Sequence, residues 1–126
     1  MLLHSPGIEK FISGVIFHEE TAKQKNDNGV TFVDYVKSLG IVPGIKVDKG
    51  LAVLENNANQ ENWTKGLEPL PAMAAEFYAL GCRFAKWRCV LKIAEGCPSE
   101  EAIKHNAETL AKYAAICQQN GLVPIV

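Results

Sequence analysis

The stretch Ala85–Ile93, AKWRCVLKI, decides how the chain folds. It is an apolar run carrying three cations, where a strand buried on both faces normally carries none. Strand side chains alternate, so Lys86, Arg88 and Val90 point one way while Ala85, Trp87, Cys89 and Leu91 point the other. The second face is large and apolar, which suits a strand packed against helices. The first holds two adjacent cations, and if the strand is central they need an anion to face, because an unpaired charge is costly away from water. A phosphorylated substrate fits that need. Cations in a strand also commonly point to water from an edge, so a second strand ending matters. Gly44–Gly50, GIKVDKG, follows the apolar lead-in Ile41, Val42, with Ile45 and Val47 inside it, and again places a lysine, Lys46, among apolar neighbours. Two strands with cations at comparable depth make a site.

At 126 residues, 48% hydrophobic, the chain has the size and core material of one modest domain. A net charge of −1 argues against a general nucleic-acid binder. No run approaches the roughly 18 apolar residues of a membrane span, and the start lacks a basic segment leading into an apolar one. A cytoplasmic protein without a membrane partner is expected. Cys82, Cys89, Cys97 and Cys117 have no CxxC spacing and read as reduced thiols rather than a disulfide frame or zinc site. His4, His18 and His105 show neither metal spacing nor a neighbouring nucleophile, and His105 reads as a surface residue. Neither GxGxxG nor GxxxxGK[ST] occurs, so no dinucleotide or P-loop site is expected.

In chain order, Ser5–Gly7 signals a turn before a short lead-in over Ile8–Ile12. Ser13–Phe17 is continuously apolar, as in a parallel strand buried on both faces. Thr21–Gly29 reads as loop, and Phe32, Val33, Val36 and Leu39 as a helix stopped by Gly40. Ile41–Val47 is the second strand. Leu51–Thr64, rich in asparagine, reads as a long connection. Pro71–Leu80 is a helix ended by Gly81, and Phe84–Leu91 the third strand. After a turn at Cys97–Pro98, Ser99 caps a helix whose inner face carries Ile103, Ala107, Leu110, Ala114 and Cys117. Leu122–Val126 is the fourth strand. Strands joined by helical crossovers make a parallel α/β arrangement.

With these elements placed, the chain resembles the class I, Schiff-base type of fructose-bisphosphate aldolase. The resemblance runs through ISGVIFHEET (Ile12–Thr21), FVDYVKSLGIVPGIKVDKG (Phe32–Gly50), FAKWRCVLKI (Phe84–Ile93) and YAAICQQNGLVPIV (Tyr113–Val126). It weakens over Leu51–Thr64. It implies a (β/α)8 TIM barrel with active residues toward the carboxyl ends of the strands. Residues 1–126 would be a partial barrel domain, strands two to five with their helices.

The activity implied is glycolytic cleavage of fructose 1,6-bisphosphate to glycerone phosphate and glyceraldehyde 3-phosphate through an iminium. Lys46 and Arg88 would hold the phosphorylated sugar, and Lys86 would be catalytic, stabilising charge beside the reacting carbon. The resemblance places the imine-forming lysine in a later LLKPN-type strand, outside these residues. It likewise places outside them an aspartate ending the first strand and an EPE pair of glutamates. The 126 residues alone are therefore expected to be inactive. It implies no metal and no cofactor, and a parent that is a homotetramer. Two other readings stand beside it. One is a non-catalytic product that binds sugar phosphate or a protein. The other is an unrelated barrel enzyme in which Lys86 forms the imine, since cationic neighbours free an amine.

Overall fold

The computed structural model describes residues 2–126. Two short 3-10 turns, Leu2–His4 and Ile8–Lys10, precede the first strand, β1, Gly14–Phe17. Then come α1 (Glu19–Lys23), α2 (Phe32–Ser38), β2 (Val42–Lys46), β3 (Leu51–Val53) and β4 (Asn62–Thr64). They are followed by α3 (Leu70–Leu80), β5 (Phe84–Lys86), α4 (Glu100–Gln119) and β6 (Val123–Ile125).

Local chemistry sets several of these boundaries. The Thr31 hydroxyl accepts from the Asp34 amide at 3.1 Å and so opens α2. Ser99 does the same for α4, accepting from the Ala102 amide at 3.2 Å ahead of Glu100 and Glu101. Gly81 ends α3 at φ 114°, a backbone region that a side chain would strain.

Four strands form one parallel sheet in the order β1-β2-β5-β6, which is their order along the chain. A doubly wound sheet reverses its order partway, whereas a barrel adds each new strand on the same side. The strand that opens AKWRCVLKI is internal, as expected. Helices cover one face. Val33 and Val36 of α2, Leu70, Met73 and Phe77 of α3, and Tyr113 and Cys117 of α4 are buried with Phe17, Ile45, Ala85 and Trp87. The Tyr113 hydroxyl donates to the Ala85 carbonyl at 2.7 Å, and the Ile125 carbonyl lies 3.2 Å from the same oxygen.

The opposite face is not covered among the described residues, so the burial on both sides expected for Ser13–Phe17 is not seen within them. Ile16 is 45%, Val42 43% and Ile125 45% exposed. On this face the Phe84 ring lies across two glycines of neighbouring strands. A Cβ placed on Gly44 would stand 2.3 Å from the ring, and one on Gly14 would stand 3.3 Å from it.

Other boundaries also differ from expectation. The third strand ends at Lys86 rather than Leu91, level with the end of β2 at its register partner Lys46. After the Trp87 amide meets the Ile125 carbonyl at 3.4 Å, it is the Thr64 hydroxyl that takes the Arg88 carbonyl. The connection after Gly50 contains the antiparallel hairpin β3–β4. Asn56 and Gln60 there adopt left-handed φ of 56° and 52°, and Asn57 accepts from the Glu61 amide at 3.0 Å, so the turn uses the polar residues that looked like loop. Helix α1 occupies the start of the supposed loop after Thr21, with Ala22 buried.

In α4 the inner face is Ala102, Asn106, Thr109, Tyr113 and Cys117; Cys117 is buried as expected, the other four lie one residue back from the expected stripe, and Ile103 is 49% exposed. Two buried polar side chains make that rotation tolerable. Asn106 Nδ2 donates to the Asn62 carbonyl at 3.0 Å, and Thr109 Oγ1 donates to the His105 carbonyl at 2.9 Å. His105 is exposed as expected, its ring edge-on to Trp63 at 5.2 Å.

Candidate functional site

Lys46 and Lys86 are the last residues of the two internal strands and are direct partners in the β2–β5 register. Their neighbours Ile45 and Ala85 are fully buried on the helix-covered side, so both lysines project from the opposite side. Their stems therefore start about one strand spacing apart, ~4.8 Å. The charge of one is compensated. Lys46 Nζ donates to Asp48 Oδ1 at 2.8 Å and reaches the Asp48 carbonyl at 3.3 Å. Asp48 is 8% exposed, and its second oxygen, Oδ2, has no hydrogen-bond partner. Lys86, by contrast, has no ion-pair partner among the described residues, and neither has Arg88. Arg88 is exposed and lies two residues past the strand end, in a segment without helix or strand.

Beside these ends is a cleft of 530 Å3 at the carboxyl ends of β1 and β2, lined by His18, Glu19, Lys23, Lys46, Asp48 and Lys49 among others. Lys49 Nζ pairs with Glu19 at 2.7 Å, and that hydrogen bond holds the Glu19 carboxyl below its ordinary range against the opposing effect of burial. Lys46 is the nominated residue that lines the cleft; Lys86 and Arg88 are not among the residues lining it. The structure therefore brings Lys46 and Lys86 together in register and leaves Arg88 further out on the same strand's extension. Sequence reasoning missed Asp48. The signal was present, because a residue two positions beyond Lys46 returns to the same side when strand alternation continues.

Among the described residues no three His, Cys, Asp or Glu side chains are grouped to hold a metal ion. Among the described residues no helix is long and apolar enough to cross a membrane.

A parallel sheet in chain order, helices on one face and clustered cations at the carboxyl strand ends define an α/β segment of the (β/α)8 type. The chain belongs to the class-I fructose-bisphosphate aldolase family, whose model matches residues 1–126. It is 56% identical over 115 residues to the fructose-bisphosphate aldolase of Schistosoma mansoni, covering 91% of this chain and 31% of that one. It is 55% identical over 119 residues to fructose-bisphosphate aldolase C of Homo sapiens, covering 94% and 32%. It is 52% identical over 126 residues to cytosolic fructose-bisphosphate aldolase 4 of Arabidopsis thaliana, covering 100% and 32%.

A solved structure of the Plasmodium falciparum aldolase, a ternary complex with TRAP and a small-molecule inhibitor, superposes with a TM-score of 0.94 at 48% identity. That match covers 98% of this chain and 36% of the other. The chain spans about a third of the length of these relatives.

Proposed function

We propose that residues 1–126 are part of one barrel domain of a fructose-bisphosphate aldolase, a glycolytic lyase that cleaves fructose 1,6-bisphosphate to glycerone phosphate and glyceraldehyde 3-phosphate. In this reading Lys46 and Arg88 hold the anionic substrate, and Lys86 stabilises charge beside the reacting carbon. The observation that carries it is the Lys46–Lys86 pairing at the strand ends, with Lys86 and Arg88 free of carboxylate partners among the described residues. Arginine offers a planar fork to a phosphate and lysine a mobile point charge, so the set matches a phosphorylated sugar. The compensated Lys46 releases part of its bond to Asp48 when phosphate arrives; uncompensated Lys86 and Arg88 give up no protein partner. The 126 residues contain no LLKPN-type strand, so the reading assigns them substrate cations and not the imine-forming amine. A cytoplasmic homotetramer is proposed for the whole protein, by analogy with the family.

The test is titration with fructose 1,6-bisphosphate. Binding should weaken as salt rises, and Arg88→Ala should reduce affinity about 10-fold or more, as for loss of a charge-assisted hydrogen bond. Lys46→Ala should weaken it as well. Unchanged affinity in both variants sinks the reading. Borohydride reduction in the presence of glycerone phosphate should leave Lys86 unmodified, and a trapped adduct on Lys86 would reassign it as the imine lysine.

A further inference from the structure

Arg88 sits in a segment, 87–98, that contains neither helix nor strand, yet three residues of a single neighbouring element bond along it. At its start the Oγ1 of Thr64, a fully buried residue at the end of β4, donates to the Arg88 carbonyl at 2.7 Å. In its middle Lys92 Nζ donates to the Asn59 carbonyl at 2.8 Å. Where it meets α4, Glu61, 1% exposed, accepts from the Ser99 amide at 2.9 Å and from the Ser99 hydroxyl. All three partners belong to the hairpin that joins β3 to β4.

That hairpin is anchored on both other sides. Asn106 of α4 holds the Asn62 carbonyl. The Lys49 amide donates to the Lys65 carbonyl at 2.9 Å, and the Lys65 amide to the Gly50 carbonyl at 2.9 Å. Those last two bonds fall immediately after Asp48, the partner of Lys46. Residues 61–65 thus bond to the backbone just beyond each of the two cation-bearing strand ends.

We propose that the β3–β4 hairpin is the element that positions Arg88, with Thr64 as its positioning residue. The proposal rests on the reading that Arg88 binds the anionic substrate; Thr64 itself does not touch it. A guanidinium fork gives its full affinity only from a fixed backbone, and freeing that backbone lowers affinity in proportion to the fraction of time it is misplaced. Thr64 is suited to the task because it is buried and its hydroxyl has one acceptor to serve. Loss of the hydroxyl leaves the Arg88 carbonyl without its partner while changing no charge.

The experiment measures fructose 1,6-bisphosphate affinity of the polypeptide as isolated from its source, with melting temperature as the check on folding. Thr64→Val, which keeps the shape and removes the hydroxyl, should weaken binding by about 5- to 10-fold, the fall in the competent fraction when the ordered position of Arg88 loses one hydrogen bond's worth of preference over misplaced ones. Thr64→Ser, which restores the hydroxyl, should stay within about 2-fold of the parent, a negligible energy by the same conversion. In an Arg88→Ala background Thr64→Val should add nothing, because there is no fork left to position.

A folded Thr64→Val protein that binds like the parent overturns the proposal, as does a penalty that persists without Arg88. If Thr64→Val does not fold, Ser99→Ala loosens the far end of the same segment and is expected to show the same dependence on Arg88; independence from Arg88 overturns the proposal there too. Unchanged binding in Arg88→Ala alone is a different failure, that of the substrate reading beneath it.

Discussion

Replacing Gly44 with alanine separates two effects of opposite sign. Gly44 is in the middle of β2 and its φ is not in the left-handed region, so alanine is compatible with its backbone. By chain entropy alone that substitution stabilises a protein by about 0.4–1 kcal/mol. The added methyl, however, would stand 2.3, 2.4 and 2.6 Å from three carbons of the Phe84 ring, against about 3.5–4.0 Å for comfortable contact. The ring must retreat by more than ~1 Å, and its other edge already rests against Gly14. Overpacking of this kind costs about 1–3 kcal/mol, which outweighs the entropic gain. A net loss near 1–2 kcal/mol lowers a urea midpoint by roughly 1 M at an ordinary slope.

Fluorescence of the buried Trp87 reports the transition. The control is Phe84→Ala, in which Gly44→Ala should be neutral or stabilising, giving a coupling of about 1–3 kcal/mol between the two positions. A Gly44→Ala protein at least as stable as its parent, or a penalty undiminished without the ring, refutes the steric argument.

Lys46→Met should destabilise the fold by about 1–3 kcal/mol, since it strands a buried Asp48 whose Oδ2 is already unpartnered, whereas exposed Arg88→Ala should change stability by less than about 0.5 kcal/mol; melts of the two variants check the contrast, and adding Asp48→Asn to the first should recover part of the loss. The Glu61 carboxyl is held below its ordinary value first by the Ser99 hydroxyl and then by the Ser99 amide, against the effect of burial. Its contribution is therefore present above the unfolded carboxyl range and disappears as pH falls through the lower folded value, so acid unfolding curves should show a slope that Glu61→Gln reduces and Ser99→Ala reduces less, the share of Glu19 remaining. Burial pushes the Cys82 and Cys117 thiols up to about 11, and in native protein iodoacetamide should label Cys89 and Cys97 first, an order that mass mapping after a brief pulse reads and urea should abolish.

The parallel sheet was legible because it rests on local signals. Apolar runs, glycine stops after α2 and α3, and the Ser99 cap place the elements, and period-two alternation puts Lys46 and Lys86 on the side opposite Ile45 and Ala85. What was illegible depends on partners distant in the chain. AKWRCVLKI remains apolar beyond Lys86, but its Arg88 carbonyl goes to the hydroxyl of Thr64, 24 residues earlier, a partner not written in the run itself. The inner face of α4 includes Asn106 because the Asn62 carbonyl, 44 residues earlier, receives its amide. Counting apolar residues therefore selects Ile103 in place of Ala102. The asparagines after Leu54 looked like an unstructured connection since the same residue types serve loops and left-handed turn positions alike. Asp48 differs, because alternation from Lys46 reaches it and the site could have included it from the outset.

The Tyr113 hydroxyl, within reach of carbonyls on both β5 and β6, acts as a gauge of how those strands are aligned. A slip of one residue along β5 would turn each of its side chains to the other side, carrying Lys86 in among the helices and Ala85 out. The same slip would take the Ala85 carbonyl away from the phenol, leaving a buried hydroxyl without that acceptor. Misalignment is thus penalised by a helix residue 27 positions from the lysine whose orientation it protects. The two lysines on one side of the sheet are kept in place by a polar contact on the other, helix-covered side.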